Sequence, residues 1–243
     1  MIGSKGQAYK QYLKDTFDNN LDFDAYSSSP HRYLTTPDYA RLLFYHHIYQ
    51  QILNVQGEIH LHGVSNGSTL FILAHLAEIF ESLNSTRQIV GFDLFEDHQA
   101  VYPHVSTEDG NYCHPDTNPM PHCTSFDALQ DHVDHFNGAA RTSVSPRIKL
   151  VKGDSLDTYQ DYCVNNYPVI SLLLLHIETY KVEKSILKTA WSKMPRGSIV
   201  VSSALGSPSA PGVAQLFDDV LGISNIKIVR TDLTTKMCYL IKD

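Results

Sequence analysis

Residues 57–68 read Gly-Glu-Ile-His-Leu-His-Gly-Val-Ser-Asn-Gly-Ser, and this stretch decides the fold. Residues 59–62 suit a short strand, and residues 63–68 are the small and polar residues of a tight turn. Residues 69–83 follow as an amphipathic helix. The apolar residues at helical spacing in that helix are Leu70, Leu73, Ala74, Ala77 and Phe80. The stretch therefore predicts a strand, a turn and a helix in that order.

The same alternation continues on both sides of this stretch. Further strands are predicted at residues 88–92, 147–151, 169–175 and 198–201, and further helices at residues 37–53, 181–194 and 213–221. The run 169–175 is apolar throughout, which is typical of a strand covered on both faces. The last two segments, 226–230 and 236–241, flank a turn and predict an antiparallel hairpin. The fold class is therefore α/β: a Rossmann-like, doubly wound, mostly parallel sheet with a C-terminal antiparallel hairpin.

Two regions lie outside this regular pattern. Residues 1–56 are expected to form an N-terminal helical cap, and residues 57–243 the Rossmann-like domain. Within that domain, residues 97–146 are rich in His, Pro, Asp and Asn and predict a lid insertion, with a short helix at 127–136. The insertion also holds Cys113, His114, His122 and Cys123, which leaves open a metal site of unusual spacing.

Composition excludes several classes of protein. The chain of 243 residues carries a net charge of −7 and no dense block of Lys and Arg, so nucleic acid is not expected as a partner. Its longest strongly apolar run is too short to cross a bilayer, and its N-terminus lacks the apolar core of a secretory signal. The four cysteines form no CxxC pair. A cytoplasmic protein without a membrane partner is expected.

Ligands of doubly wound sheets bind beyond the carboxyl ends of the strands, so the residues just after each strand are the candidate site. The candidate cofactor-binding residues are Gly63, Val64, Ser65, Asn66 and Ser68 after the first strand, Asp93 and Leu94 after the second, Gly153, Asp154 and Ser155 after the third, and His176 after the fourth. An acid such as Asp93 can accept hydrogen bonds from both hydroxyls of a ribose.

Each of these features also has a purely structural interpretation. The glycine-containing turn can join strand to helix without a ligand, and Asp93 can cap a helix or face solvent. Asp154 or Ser155 can serve as the N-cap of the next helix. The argument for a nucleotide-like ligand is that three such elements follow three adjacent strands.

Four segments, in this order, resemble the macrocin O-methyltransferase group, and especially its deoxysugar 3-O-methyltransferases. They are residues 57–68, residues 89–96 with the sequence Ile-Val-Gly-Phe-Asp-Leu-Phe-Glu, residues 148–158 with Gly-Asp-Ser-Leu-Asp-Thr at the end, and residues 173–180. The resemblance covers roughly residues 34–221. It implies a class I methyltransferase with S-adenosyl-L-methionine as methyl donor, S-adenosyl-L-homocysteine as product and a small hydroxylated acceptor. It further implies a homo-oligomer, Asp93 on the ribose, Gly63 near the methionine end and Asp154 and Ser155 near adenine.

The chain departs from that family at several positions. Leu61 replaces a glutamate, residues 176–180 read His-Ile-Glu-Thr-Tyr where the family has Asp-x-Asp-x-Tyr, and Ser202 and Ser203 replace a pair of acids. In the family these acids hold a magnesium ion, which prefers anionic oxygen ligands. We therefore expect no magnesium site of that type.

Two candidate catalytic residues are left, His176 as general base and Glu178 as a group that orients His176 or the acceptor. Alternatively, His176 is a core histidine bonded to backbone, Glu178 forms a surface salt bridge, or the two bind a transition metal with a further histidine. The function predicted is O-methylation of a small metabolite such as a sugar or natural product. The alternatives are a non-catalytic descendant acting as a binding or regulatory partner, and a Rossmann protein that uses another nucleotide.

Overall fold

The computed structural model describes residues 11–16, 23–96, 105–110, 125–140, 145–234 and 236–243. Its strands are β1 (Glu58–His62), β2 (Ile89–Asp93), β3 (Ile148–Lys152), β4 (Ile170–Leu175), β5 (Ile199–Ser202), β6 (Val229–Arg230) and β7 (Cys238–Ile241). Its α-helices are α1 (Phe23–Ser28), α2 (Thr36–Ile52), α3 (Ser68–Phe80), α4 (Phe126–Ala139), α5 (Ser155–Asn166), α6 (Tyr180–Trp191) and α7 (Pro211–Leu221). Short 3-10 turns occur at Pro30–Tyr33, Thr107–Asp109 and Ile223–Asn225.

The strands form one sheet in the order β3-β2-β1-β4-β5-β7-β6. β1 to β5 are parallel, whereas β7 runs antiparallel to both β5 and β6. The chain direction across the sheet reverses between β1 and β4, because β2 and β3 lie on one side of β1 and the later strands on the other. The predicted fold class is confirmed, including the antiparallel C-terminal pair.

Alternation along the strands separates two apolar layers. Ile59 and Leu61 of β1 pack on one face with α2, α3 and α4. Val90 and Phe92 of β2 face the other side, where α5, α6 and α7 complete the core. Because helices cover both faces, β4 is apolar at nearly every position, and all six of its residues are buried.

The N-terminal helix α2 is part of this core. Phe44 and Ile48 of α2 are fully buried against the face that carries Ile59 and Leu61. The helix begins with a capping box between Thr35 and Asp38. α2 therefore packs in the same apolar layer as β1 and α3, although it precedes them in the chain.

Most predicted elements lie within a few residues of the observed ones. The helix expected at 127–136 is α4, and the helix at 213–221 begins two residues earlier, at Pro211. Gly57 lies just before β1 and has a φ of +139°. A Cβ at this position would be 2.6 Å from Val169 O, so the start of β1 requires glycine.

Two expectations about the lid depend on residues that the structure describes only in part. Residues 105–110 and α4 are described, whereas 97–104, 111–124 and 141–144 are not. The proposed cluster of Cys113, His114, His122 and Cys123 lies outside the described residues. Within the described part of the chain, no helix is long and apolar enough to span a membrane.

Candidate functional site

The ends of four parallel strands are joined directly to one another. The amide of Gly63 donates to Phe92 O at 3.0 Å, which joins the turn after β1 to β2. The amide of Gly153 donates to Asp93 O at 3.0 Å, which joins β3 to β2. The amide of His176 donates to His62 O at 2.9 Å, which joins β4 to β1. The segments singled out from the sequence therefore converge at one edge of the sheet.

The carboxylate of Asp93 connects the turn after β1 to the segment after β2. Its Oδ2 accepts hydrogen bonds from the amides of Val64 at 2.7 Å and Ser65 at 2.9 Å, and its Oδ1 accepts from the amide of Phe95 at 3.0 Å. A carboxylate offers about four acceptor positions, so three bonds leave about one for a ligand hydroxyl. Asp93 thus has a structural role that none of its sequence-based interpretations included.

The turn after β1 depends on left-handed backbone conformations. Gly63 has a φ of +88°, and a Cβ there would lie 2.8 Å from His176 O. Ser65 adopts a φ of +53°, which is unfavourable for a non-glycine residue and is maintained here by its bond to Asp93. Asn66 and Ser68 are exposed at the edge, whereas Val64 is buried and could reach a ligand only through its backbone.

The turn after β3 includes the N-cap of α5. The carboxylate of Asp154 accepts from the amide of Leu156 at 2.9 Å, so the capping interpretation is observed. Ser155 is buried, and its hydroxyl lies 3.2 Å from Nδ1 of His62. Gly153 has a φ of +133°, and Leu94 lies half-buried after β2. Asp154 and Leu94 are placed to line the edge, while Ser155 faces inward.

His176 faces the helix α2 rather than the backbone. Its Nε2 lies 3.3 Å from the hydroxyl of Tyr45, a residue that is almost fully buried. Burial and the positive charge of Arg41 lower the pKa of His176 to about 4. The imidazole is therefore neutral at neutral pH. It is available to accept a proton, but it is a weaker base than an ordinary histidine.

Glu178 does not orient His176. Its Oε1 accepts a hydrogen bond from the Ser203 hydroxyl at 2.7 Å, and burial raises the pKa of its carboxyl. The residue has a φ of +65°, a strained value for a glutamate. Neither the orienting role toward His176 nor the surface salt bridge considered from the sequence is what the structure shows.

Sequence reasoning missed a buried carboxyl beneath this loop. Glu183 of α6 is 1% exposed, and its Oε1 accepts from the amides of Ile177 at 2.9 Å and Glu178 at 2.8 Å. Burial, together with the negative charges of Glu178 and Asp109, raises the pKa of Glu183 to about 8. An acid at an apolar position of the helical repeat, next to Val182 and before Ile186, was the available signal.

A second buried acid connects the insertion to the start of α6. Asp109 is fully buried; its Oδ1 accepts from the amide of Tyr180 at 2.7 Å, and its Oδ2 accepts from the amide of Ser106 at 2.9 Å. It thereby satisfies an amide at the start of α6, which otherwise has no intrahelical partner. Residues 105–110 are therefore attached beside the loop that carries His176 and Glu178.

The groups after β4 and β5 include few anionic oxygens. Among the residues that the structure describes, no group of three His, Cys, Asp or Glu side chains is arranged to hold a metal ion. The positions after β4 and β5 supply one imidazole, one carboxylate bonded to Ser203, and hydroxyls. Magnesium requires near-octahedral oxygen ligands, usually anionic ones.

Comparison with known proteins identifies the fold. No family model matches the chain, and no curated protein matches it either. Among solved structures, the calicheamicin methyltransferase CalS11 is 24% identical with a TM-score of 0.87, covering 98% of this chain and 93% of its own. The apo structure of CalS11, described as a TDP-rhamnose 3'-O-methyltransferase of calicheamicin biosynthesis, gives 24% and 0.82, with 98% and 95% covered.

A more distant structure has the same architecture. The O-methyltransferase NovP is 14% identical with a TM-score of 0.65, covering 84% of this chain and 79% of its own. Identities this low establish a shared fold only. The chain has the class I methyltransferase fold, a mostly parallel sheet of seven strands with an antiparallel C-terminal pair.

Proposed function

We propose that the protein is an S-adenosyl-L-methionine-dependent O-methyltransferase acting on a small hydroxylated metabolite. The observation that carries the proposal is the convergence of four strand ends on Asp93 and His176, at the edge where doubly wound sheets bind ligands. The fold shared with CalS11 and NovP, both methyltransferases by name, supports the proposal. The reaction forms an ether and S-adenosyl-L-homocysteine.

The residues at the edge fit an adenosyl ligand. The remaining acceptor position of Asp93 suits a ribose hydroxyl, the exposed turn at Asn66 and Ser68 suits the amino acid end, and Asp154 and Leu94 suit the adenine. Gly63 allows close approach because it has no side chain. The bound cofactor supplies an electrophilic methyl group, and the protein's own residues bind it and align the acceptor.

His176 serves as general base in this proposal. Its low pKa keeps it uncharged, so it can accept the acceptor's hydroxyl proton as the oxygen becomes a nucleophile. Glu178 lies in the same loop as His176 and is bonded to Ser203 after β5, so it is placed to accept a hydrogen bond from a second acceptor hydroxyl. Because the donor set lacks paired acids, we propose that the reaction needs no magnesium.

A non-catalytic cofactor-binding protein is the second candidate. It is favoured by the weak basicity of His176 and by the hydroxyls of Ser202 and Ser203 at positions where the resembling family has acids. Such a protein would bind S-adenosyl-L-homocysteine but transfer no methyl group. Turnover therefore separates the two candidates, and binding alone does not.

The test is a methyl-transfer assay over nucleotide sugars and glycosylated natural products, with S-adenosyl-L-homocysteine as the measured product. We expect turnover by the wild type, unchanged by a chelator, and a loss of at least about 100-fold in His176→Gln, the usual contribution of a general base. Equal turnover in His176→Gln would contradict the role of His176. Inhibition by chelator that magnesium reverses would contradict metal independence.

A further inference from the structure

The hydroxyl of Tyr45 has three possible hydrogen-bond partners. It lies 3.3 Å from Nε2 of His176, 3.4 Å from Oγ1 of Thr69 and 3.4 Å from Sδ of Met237. The side chain is 1% exposed, and burial raises the pKa of Tyr45 to about 12. The phenol therefore keeps its proton at neutral pH. It has one hydrogen to donate and two lone pairs that can accept.

Only one placement of hydrogens satisfies all three contacts. The thioether of Met237 can only accept, so this contact is a hydrogen bond only when the Tyr45 hydrogen points to the sulfur. The phenol oxygen then accepts from the hydroxyl of Thr69 and from an Nε2–H of His176. If Tyr45 donated to Nε2 instead, the contact with the Met237 sulfur would be a van der Waals contact, and only two of the three contacts would be hydrogen bonds.

His176 is half-buried, and its other ring nitrogen, Nδ1, is on the part of the side chain that is not fully enclosed. No side chain or backbone group of the described residues forms a hydrogen bond with Nδ1 of His176. This atom is also absent from the buried side-chain atoms without a partner in the described ranges, which are His62 Nε2, Thr179 Oγ1, Glu183 Oε2 and Thr231 Oγ1. An atom that is neither bonded nor buried is accessible, and here it lies at the carboxyl end of β4.

We propose that Tyr45 holds His176 in the Nε2–H tautomer, which makes Nδ1 the atom that accepts the proton of the acceptor hydroxyl. The second half of this inference rests on the proposed function. As the acceptor oxygen forms its bond to the methyl carbon and the carbon–sulfur bond breaks, the hydroxyl proton passes to Nδ1. The imidazolium so formed retains its Nε2–H bond to Tyr45. Tyr45 is thus a positioning residue, since it acts through His176.

The test is the ¹⁵N NMR spectrum of histidine-labelled protein, in which a nitrogen that bears hydrogen and one that does not have well-separated shifts. His176→Gln identifies the signals of His176 by their loss. We expect wild-type His176 to show hydrogen on Nε2 and none on Nδ1. In Tyr45→Phe, which keeps the ring but removes the hydroxyl, we expect this preference to be lost.

Tyr239→Phe is the matched control. The Tyr239 hydroxyl lies 3.4 Å from Nε2 of His47, a tyrosine–histidine pair at similar distance and also involving α2. We expect this variant to alter the signals of His47 and to leave those of His176 unchanged. A change at His176 in Tyr239→Phe as large as in Tyr45→Phe would show a general effect of removing a hydroxyl and would overturn the inference.

Met237→Leu tests the hydrogen count without removing Tyr45. Without the sulfur as an acceptor, Tyr45 can donate its hydrogen to Nε2. We therefore expect His176 to shift toward the Nδ1–H tautomer. Hydrogen on Nδ1 in the wild type, or unchanged signals in both Tyr45→Phe and Met237→Leu, would overturn the inference. Failure of the proposed function has a different signature, the absence of S-adenosyl-L-homocysteine binding in calorimetry of the same labelled sample.

Discussion

At the scale of single residues, the neutral state of His176 follows from its surroundings. Burial between the sheet and α2 disfavours the imidazolium, and the nearby guanidinium of Arg41 disfavours it further. The two buried histidines of β1, His60 and His62, have lowered pKa values for the same main reason. The candidate base therefore stays unprotonated across the range in which an exposed histidine titrates.

The first prediction concerns the pH dependence of methyl transfer. A base must be unprotonated to act, so the acid limb of kcat/KM should fall near the pKa of His176, about 4, and not near 6.5. Arg41→Gln removes the repelling charge and should move that limb to higher pH. A wild-type limb near 6.5, unmoved in Arg41→Gln, would show that another group titrates.

The second prediction concerns Glu183. Its folded-state pKa of about 8 lies above the ordinary 4.5, so its contribution to stability is fully present below pH 4.5 and is lost as pH rises through 8. Glu183→Gln keeps an acceptor for the amides of Ile177 and Glu178 but does not ionise. In urea unfolding, the variant should therefore lose less stability than the wild type between pH 5 and about 9.

Glu183→Ala provides the contrast for that measurement. It removes the acceptor altogether and leaves two loop amides unsatisfied, which should cost about 1–3 kcal/mol at every pH. Equal pH dependence in the wild type and Glu183→Gln would mean that the carboxyl is ionised throughout, which is incompatible with a raised pKa for Glu183.

At the scale of elements, local patterns predicted strands and helices well. Helical spacing located α3, and the uninterrupted apolar run located β4. The bonds that complete the site were not predictable in this way, because they join distant parts of the chain. Tyr45 and His176 are separated by 131 positions, and nothing in the local sequence of α2 marks Tyr45 as different from its core neighbours.

The third prediction concerns the packing of elements at the amino end of the sheet. Arg87 is 2% exposed and donates to Ile52 O at 3.0 Å, to Gly57 O at 2.8 Å and to the Glu81 carboxylate at 2.9 Å. It therefore joins the end of α2, the start of β1 and the segment after α3. Arg87→Met removes these bonds and leaves the largely buried Glu81 carboxylate without its cation, and should cost about 3–5 kcal/mol of unfolding free energy.

Lys184→Met is the control for Arg87. Lys184 forms an ion pair with Asp219 at 2.6 Å, but both side chains are about one-third exposed. Exposed pairs contribute little to stability because water screens them, so urea unfolding should separate the two variants clearly. Similar losses in both would show that the bonds of Arg87 do not unite the elements as described.

At the scale of the whole molecule, buried titratable groups determine the pH at which the protein is most stable. His60, His62 and His176 have pKa values below 6.5, so the stability they contribute is present above that value and is lost as pH falls. Glu183 acts in the opposite direction, since its contribution is lost as pH rises toward 8. These groups together place the optimum near neutrality.

The fourth prediction is therefore a maximum of unfolding free energy between about pH 6 and 7.5, measured by urea titration in a series of buffers. Glu183→Gln should broaden the alkaline side of that maximum and leave the pH dependence below pH 4.5 unchanged, where the carboxyl of Glu183 is protonated in both states. A stability that continues to rise from pH 7 to 9 would contradict the assigned directions.

The fold as a whole could be predicted from the sequence, but only part of the site could be predicted. The order of strands and helices implied that residues 63–68, Asp93 and Gly153 would meet at one edge, and they do. That Asp93 also fastens the turn after β1, and that Ser155 faces inward toward His62, depends on side-chain directions that no local pattern specifies.

The most direct test of cofactor binding at this edge is calorimetric titration of the protein with S-adenosyl-L-homocysteine, for the wild type, Asp93→Asn and the surface control Asp219→Asn. We predict one site per wild-type chain, an affinity at least about tenfold weaker in Asp93→Asn because a charge-assisted bond to the ligand is lost, and no change in Asp219→Asn. Thermal unfolding of the same samples would show whether the turn after β1 is intact. An absence of binding by the wild type, or equal affinity in Asp93→Asn, would contradict the claim that the converging strand ends hold an adenosyl group.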